Sequence, residues 1–230
     1  TYVVLKIRKA TKKFKSLKDE SLDYFTALKI TCGEILPKKV VIPFATEISV
    51  FYYGFIHWKS IKLKENEFTY HKNSGTSTLF VAFILIIGIE TVALHAFVAR
   101  WDMIAAWALT GLSIYTAIQV LGFGKSLAKR PIVINSDSLT LKYGVMNEVE
   151  IEFSNISSIE LSKTDLEKDS LTKTLSPLGE MESHNVILRL KEEKEMLGLY
   201  GNIKKFKVIA FHIDEPNEFN EILTKAISNN

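Results

Sequence analysis

The centre of the chain holds two long apolar runs. From Leu79 to Val98, twenty positions carry one acid, Glu90, and one histidine, His95. Arg100, Trp101 and Asp102 interrupt the pattern, and 103–123 is a second apolar stretch of twenty-one residues. About twenty apolar residues, rising roughly 1.5 Å each, cross a hydrocarbon core, and a three-residue polar break allows only a tight turn. The pattern predicts an antiparallel transmembrane hairpin. After Arg130 the apolar period changes to two. Segments 131–136, 139–143, 149–153, 155–161, 185–191, 196–200 and 206–213 read as seven strands, with Asp137-Ser138 and Gly144 marking turns. Between them, 163–183 is charged and polar with Pro177 and Gly179, and reads as a mobile loop. Asp214 and Pro216 open a final helix with Phe219, Ile222, Leu223, Ala226 and Ile227 on one side.

The stretch 40–58 is ambiguous. Its nineteen residues are long enough to span, but Pro43, Thr46, Glu47, Tyr53, Gly54 and His57 form one polar stripe on a surface of Val, Ile, Phe and Tyr. Such a helix can cross with the stripe against neighbouring helices, or lie in the interface with the stripe in water. Charge separates the two. Residues 1–39 carry ten Lys or Arg against four acids, 59–78 carry four Lys, and Lys125, Lys129 and Arg130 follow the hairpin. With two spans all of these lie on one side and Arg100 alone lies opposite, as the positive-inside tendency requires. With a third span, seven cations move across. Two spans are favoured, and three remain open on length. The domain plan is a basic helical segment at 1–39, a membrane domain at 40–130 and a strand-rich domain at 131–230. The chain opens on Thr1 rather than Met, and missing upstream residues are expected.

Composition narrows the function. A net charge of +3, without a basic stripe interleaved with aromatics, argues against nucleic acid. Cys32 is the single cysteine, which excludes an intramolecular disulfide and a thiolate zinc site. No nucleophile elbow, phosphate-binding glycine loop or metalloprotease helix motif is present, and no cofactor or small-molecule substrate is expected. Small and polar residues on the hairpin (Gly88, Thr91 and His95, then Ala106, Thr110, Ser113 and Ala117 with Gln119 nearby) read as helix-packing faces. The ionisable residues at membrane depth, Glu47, His57, Glu90 and His95, form with Tyr53 a candidate intramembrane polar cluster. A charge at that depth costs about 2.5–3.5 kcal/mol on insertion scales unless paired or protonated. Lys204, Lys205 and Lys207 form a second candidate, for contact with a partner or lipid.

Two resemblances add to this reading. The 132–143 hairpin, the run Glu150-Ile-Glu-Phe-Ser-Asn-Ile-Ser-Ser-Ile159 and the helix start Asp214-Glu-Pro-Asn-Glu-Phe219 resemble bacterial pleckstrin-homology-like (PH-like) domains over about 100 residues. The resemblance implies a seven-stranded sheet or barrel with a C-terminal helix, acting as a binding or oligomerising module. Eukaryotic relatives hold phosphoinositides with clustered cations on the first two strands, where this chain offers only Lys142. The block Pro43-Phe-Ala-Thr-Glu-Ile-Ser-Val-Phe-Tyr-Tyr-Gly-Phe-Ile-His-Trp58, with Lys64 to Gly75, resembles a family of uncharacterised Bacteroidota membrane proteins. Members are sometimes labelled β-carotene monooxygenases. Such oxygenases hold iron with four histidines in a large propeller, and this chain is too short for one.

The expectation is therefore an α+β protein of the bacterial inner membrane, multi-pass, with a cytoplasmic PH-like domain. It would be a non-enzymatic scaffold or accessory subunit that contacts lipid and binds a protein partner or a second copy of itself. The alternative is a small membrane enzyme or transporter subunit using its intramembrane Glu and His residues.

Overall fold

The structure is a computed structural model that describes residues 12–14, 16–17, 22–166 and 169–228. Most of the basic 1–22 stretch lies outside the described residues. Five helices are labelled here: α1 (Tyr24–Cys32), α2 (Lys38–Phe51), α3 (Thr76–Val98), α4 (Met103–Leu127) and α5 (Pro216–Ser228). Eight strands accompany them: β1 (Glu67–Phe68), β2 (Ile132–Ile134), β3 (Ser138–Tyr143), β4 (Asn147–Glu152), β5 (Ile156–Glu160), β6 (Thr172–Thr174), β7 (Val186–Leu197) and β8 (Ile203–Phe211).

The apolar runs form the helices that their length demands. Asp102 caps α4, accepting from the Ile104 and Ala105 amides at 2.8 and 3.1 Å, and so closes the tight turn after α3. α2 continues into a π-helical turn at Tyr52–Ile56 and stops before His57 and Trp58. Lys38–Ile56, Thr76–Val98 and Met103–Leu127 are each long and apolar enough to cross a membrane.

The sheet is open, in the order β1-β2-β3-β4-β7-β8-β6, and β5 pairs with β7 off that path. Neighbours are antiparallel except β6 on β8. Three features depart from the sequence reading. Segments 185–191 and 196–197 join in one strand, β7, whose register against β8 shifts between Arg189 and Lys194 and so breaks the alternation, while 198–200 form the turn into β8. The 163–183 stretch is not simply a loop, because it contributes β6 and buries Leu175 and Glu182. The sheet also recruits β1 from before the hairpin, with Glu67 opposite Val133. The core consequently spans the 130/131 boundary. Phe68, Tyr70, Phe80 and Leu127 pack with the strand interiors and with Phe219 and Leu223 of α5. Burying one face is the main support for α5, which is polar on the other.

Candidate functional site

The largest fully buried side chain is Arg130, three residues beyond the end of α4. Each of its three nitrogens meets an acceptor. Nε donates to Asp23 Oδ1 at 2.8 Å, and one terminal nitrogen donates to Asp23 Oδ2, Thr26 Oγ1 and Glu148 Oε2 at 3.3, 3.2 and 2.7 Å. The other terminal nitrogen donates to the Gly144 carbonyl. The guanidinium also lies 4.7 Å from the centroid of the Phe25 ring. Lys142 donates to Asp23 at 3.2 Å, and Lys29 pairs with Glu148. Three cations and two carboxylates thus share one buried knot.

Local sequence puts each member in place. Asp23 is the N-cap of α1, accepting from the Thr26 amide at 3.1 Å, so its carboxylate is fixed before it meets Arg130. Lys29 lies two turns further along. Lys142 and Glu148 face each other across the β3–β4 ladder. Gly144 turns that hairpin at φ +50°, a conformation that also leaves no room for a Cβ against Ser126. Its amide donates to Tyr70 Oη at 2.7 Å, and Tyr70 donates on to the Arg130 carbonyl at 3.2 Å. Burial alone would raise the Asp23 carboxyl, but the Arg130 guanidinium and the Lys142 ammonium override it and hold it far below the usual range. Glu148 is likewise lowered against burial, by Arg130 and Lys29. Burial pulls Arg130 downward, and the two carboxylates more than offset that and raise it. Such a knot can clamp segments together. At least four of the five Arg130 N–H groups are spent within the chain, and the side chain has no exposed surface.

A second buried acid, Glu182, accepts from Thr76 at the start of α3 and from Tyr143 Oη at 2.5 Å. Burial and then Glu182 itself push the Tyr143 hydroxyl upward. Nearby, Asp214 accepts from the Lys72 and Asn73 amides at 3.1 and 2.8 Å, with His212 Nε2 3.8 Å away. Burial lowers both His71 and His212. Tyr70, Tyr143, Glu182, His184 and His212 line a cleft of about 10 Å³, room for one water.

Comparison with known proteins returned nothing. No family model, no curated protein and no solved structure matches this chain.

The candidate intramembrane cluster does not assemble. Glu47 accepts from Tyr115 Oη, Gln119 Nε2 and Tyr200 Oη at 2.8, 2.7 and 2.8 Å. Tyr53 and His57 lie apart from it, in an aromatic group with Tyr24 and Tyr52. His95 Nδ1 and Thr110 Oγ1 are 2.8 Å apart and share a hydrogen bond that joins α3 to α4, and the Thr110 hydroxyl also lies 2.9 Å from the Ala106 carbonyl. Glu90 is exposed and has no hydrogen bond or ion pair to a described residue. The polar stripe of α2 faces neither water nor a shared intramembrane site. Thr46, Ser49 and Tyr53 are buried against protein, while Val40, Phe44, Phe51 and Phe55 form an exposed apolar stripe at helical spacing. Lys205 and Lys207 are exposed on β8, with Lys205 3.9 Å from Glu195, and Lys204 is half-buried. Sequence reasoning missed the Arg130 knot. Its one local signal is an Arg directly after a long apolar run, and the acids it binds are 107 and 18 positions away.

Proposed function

We propose that this protein is a non-catalytic scaffold or accessory subunit, anchored by the α3–α4 hairpin, whose sheet domain docks a protein partner or a second copy of itself. The observation that carries this reading is that its buried charges are engaged within the chain. Asp23, Glu148, Arg130 and Glu182 are each held by donors or acceptors that join chain segments, fixing a rigid body to the hairpin. The surface left for recognition is charged. Lys191, Glu192, Glu193 and Glu195 on β7 and Lys205 and Lys207 on β8 are exposed with both signs interspersed. That composition suits the polar rim of a protein interface. A PH-like assignment agrees with the strand count after residue 131 and with α5.

In this reading α2 is interfacial and only the hairpin spans. Two contacts support it. The segment before α2 is clamped to the sheet through Asp23 and Arg130, and the segment after α2 joins the same sheet through β1 and Tyr70. Along its length α2 meets the β7–β8 turn, where Tyr200 holds Glu47 and Gly201 abuts Ile42. A helix whose two flanks and middle touch one polar domain fits the interface, tilted along the C-terminal half of α4 from Lys125 to Tyr115, with the stripe of Val40, Phe44, Phe51 and Phe55 toward the acyl chains.

Photo-crosslinking in cells tests the docking role. A crosslinking residue at Glu193 or Lys207 is expected to give a discrete adduct, at twice the chain mass for self-association or with one defined protein for a partner. No protein adduct from either position would refute the scaffold reading.

A further inference from the structure

We propose that the place where the ends of α2 and α4 meet is a binding site for the phosphate of an anionic phospholipid headgroup. Lys125, in the last turn of α4, lies 2.8 Å from the centroid of the Trp58 ring and donates to the Gly54 carbonyl at 3.3 Å. Lys129, four residues later and on the same side, donates to the Lys59 carbonyl at 2.7 Å. Both ammonium groups are thereby held against the 54–59 main chain by neutral acceptors, and Lys59 and Lys62, at the end of that strip and just beyond it, are exposed.

None of these four cations forms an ion pair among the described residues. That separates them from Lys29, Lys142 and Arg130, each of which meets an acid. A group of positive charges with no internal counter-charge calls for an external anion. An ammonium has three protons, and one from each of Lys125 and Lys129 goes to a carbonyl, which leaves two on each for phosphate oxygens. Position identifies the source of the phosphate. Trp58 is 66% exposed, Phe55 51% and Ile56 72%, beside the end of an apolar helix. An aromatic and cationic collar at a span end sits at headgroup depth. The inference rests on the hairpin spanning the bilayer and is independent of which protein the sheet domain docks.

The experiment uses the full chain with W101F and W107F, which leaves Trp58 as the only tryptophan. It is reconstituted in phosphatidylcholine vesicles that contain an equal, small fraction of brominated phosphatidylglycerol or brominated phosphatidylcholine. Brominated phosphatidylglycerol is expected to quench Trp58 more strongly. K125Q/K129Q should remove the difference, with about a fivefold loss of apparent affinity per lysine at low salt, and K204Q/K205Q should leave it intact. K129Q alone, which spares the Trp58 contact, should show half the effect on a logarithmic scale. Equal quenching by both lipids would overturn the proposal. So would loss of the difference on adding inorganic phosphate alone, which would assign the site to a free anion. No quenching by either lipid would place Trp58 away from the bilayer and refute the spanning-hairpin reading itself.

Discussion

Replacing Arg130 with Met removes the centre of the buried knot and keeps much of its volume. The Asp23 and Glu148 side chains are 13% and 17% exposed, so two carboxylates would remain largely dehydrated. Removing one partner of a buried ion pair costs about 3–5 kcal/mol, because the other charge stays behind unpaired. Lys142 and Lys29 still flank the stranded acids, which points to the lower end, about 3 kcal/mol. For a chain of this size each kcal/mol moves the melting temperature by about 2–4 °C, so R130M should melt roughly 6–12 °C below the parent in the same detergent. The companion variant D23N/R130M/E148Q neutralises Arg130 and both acids and leaves only the partly solvated Lys29 and Lys142 charged, and Asn caps a helix about as well as Asp. It should recover most of the loss, since uncharged replacements of buried ion pairs are often nearly neutral. Hydrogen exchange locates the damage. Amides of 24–32 should lose protection in R130M, while those of β7 keep it. A shift under about 1 kcal/mol in R130M, or a triple variant less stable than the single one, would refute the reasoning.

Acid should release the same contact. Asp23 and Glu148 are both lowered in the folded chain, so the unfolded state takes up protons first as pH falls. Their contribution should be complete above about pH 5 and vanish progressively below the ordinary carboxylate range near pH 4, visible as loss of α1 amide protection. A Cβ at Gly122 would collide with the Val50 side chain and carbonyl, so G122A should destabilise by about 1–3 kcal/mol and loosen α2 from α4, measured by melting and by exchange over 45–54. Tyr200→Phe removes one donor to Glu47 and should cost about 1 kcal/mol, raising exchange at 198–202 but not in β3, whereas an unchanged profile would mean the contact does not hold the hairpin turn. Topology can be read with single cysteines at Glu34 and Lys72 in a Cys32→Ser background. Both should react from the same side of the membrane, and labelling from opposite sides would show that α2 crosses.

The hairpin was legible because a run with almost no charge has few alternatives, and Asp102 supplies both its turn and a helix cap. α5 was legible for a related reason, since Phe219 and Leu223 recur at helical spacing beside a Pro at the first position. β6 was not. Thr172–Thr174 is polar and half-buried, and it pairs in parallel with a strand more than thirty residues on, so only Leu175 hints that the segment is anchored. β7 read as two strands because the register shift between Arg189 and Lys194 falls in a charged stretch where neither face is buried. The polar stripe of α2 was visible, but its destination was not. Periodicity shows that Glu47 and Tyr53 share a side, and says nothing of the α4 and β7–β8 groups that cover it. The Arg130 knot was hidden by distance along the chain. Asp23 reads as an ordinary cap, and Arg130 as one more cation after a span.

That distance also sets an order of events during synthesis. Asp23 is complete long before Arg130, 107 residues later, and Lys29 precedes Glu148 by 119. At about 5–20 residues per second, α1 and α2 leave the ribosome roughly 5–20 s before their counter-charges exist. In that interval α2 is an unclaimed apolar helix, and the least apolar of the three long ones. On the proposed two-span reading, Glu47 and Pro43 lower its tendency to insert while nothing yet covers its polar side. Glu47, which later fastens α2 to Tyr200, then also guards the nascent chain, by keeping that helix out of the bilayer until its partners have been made.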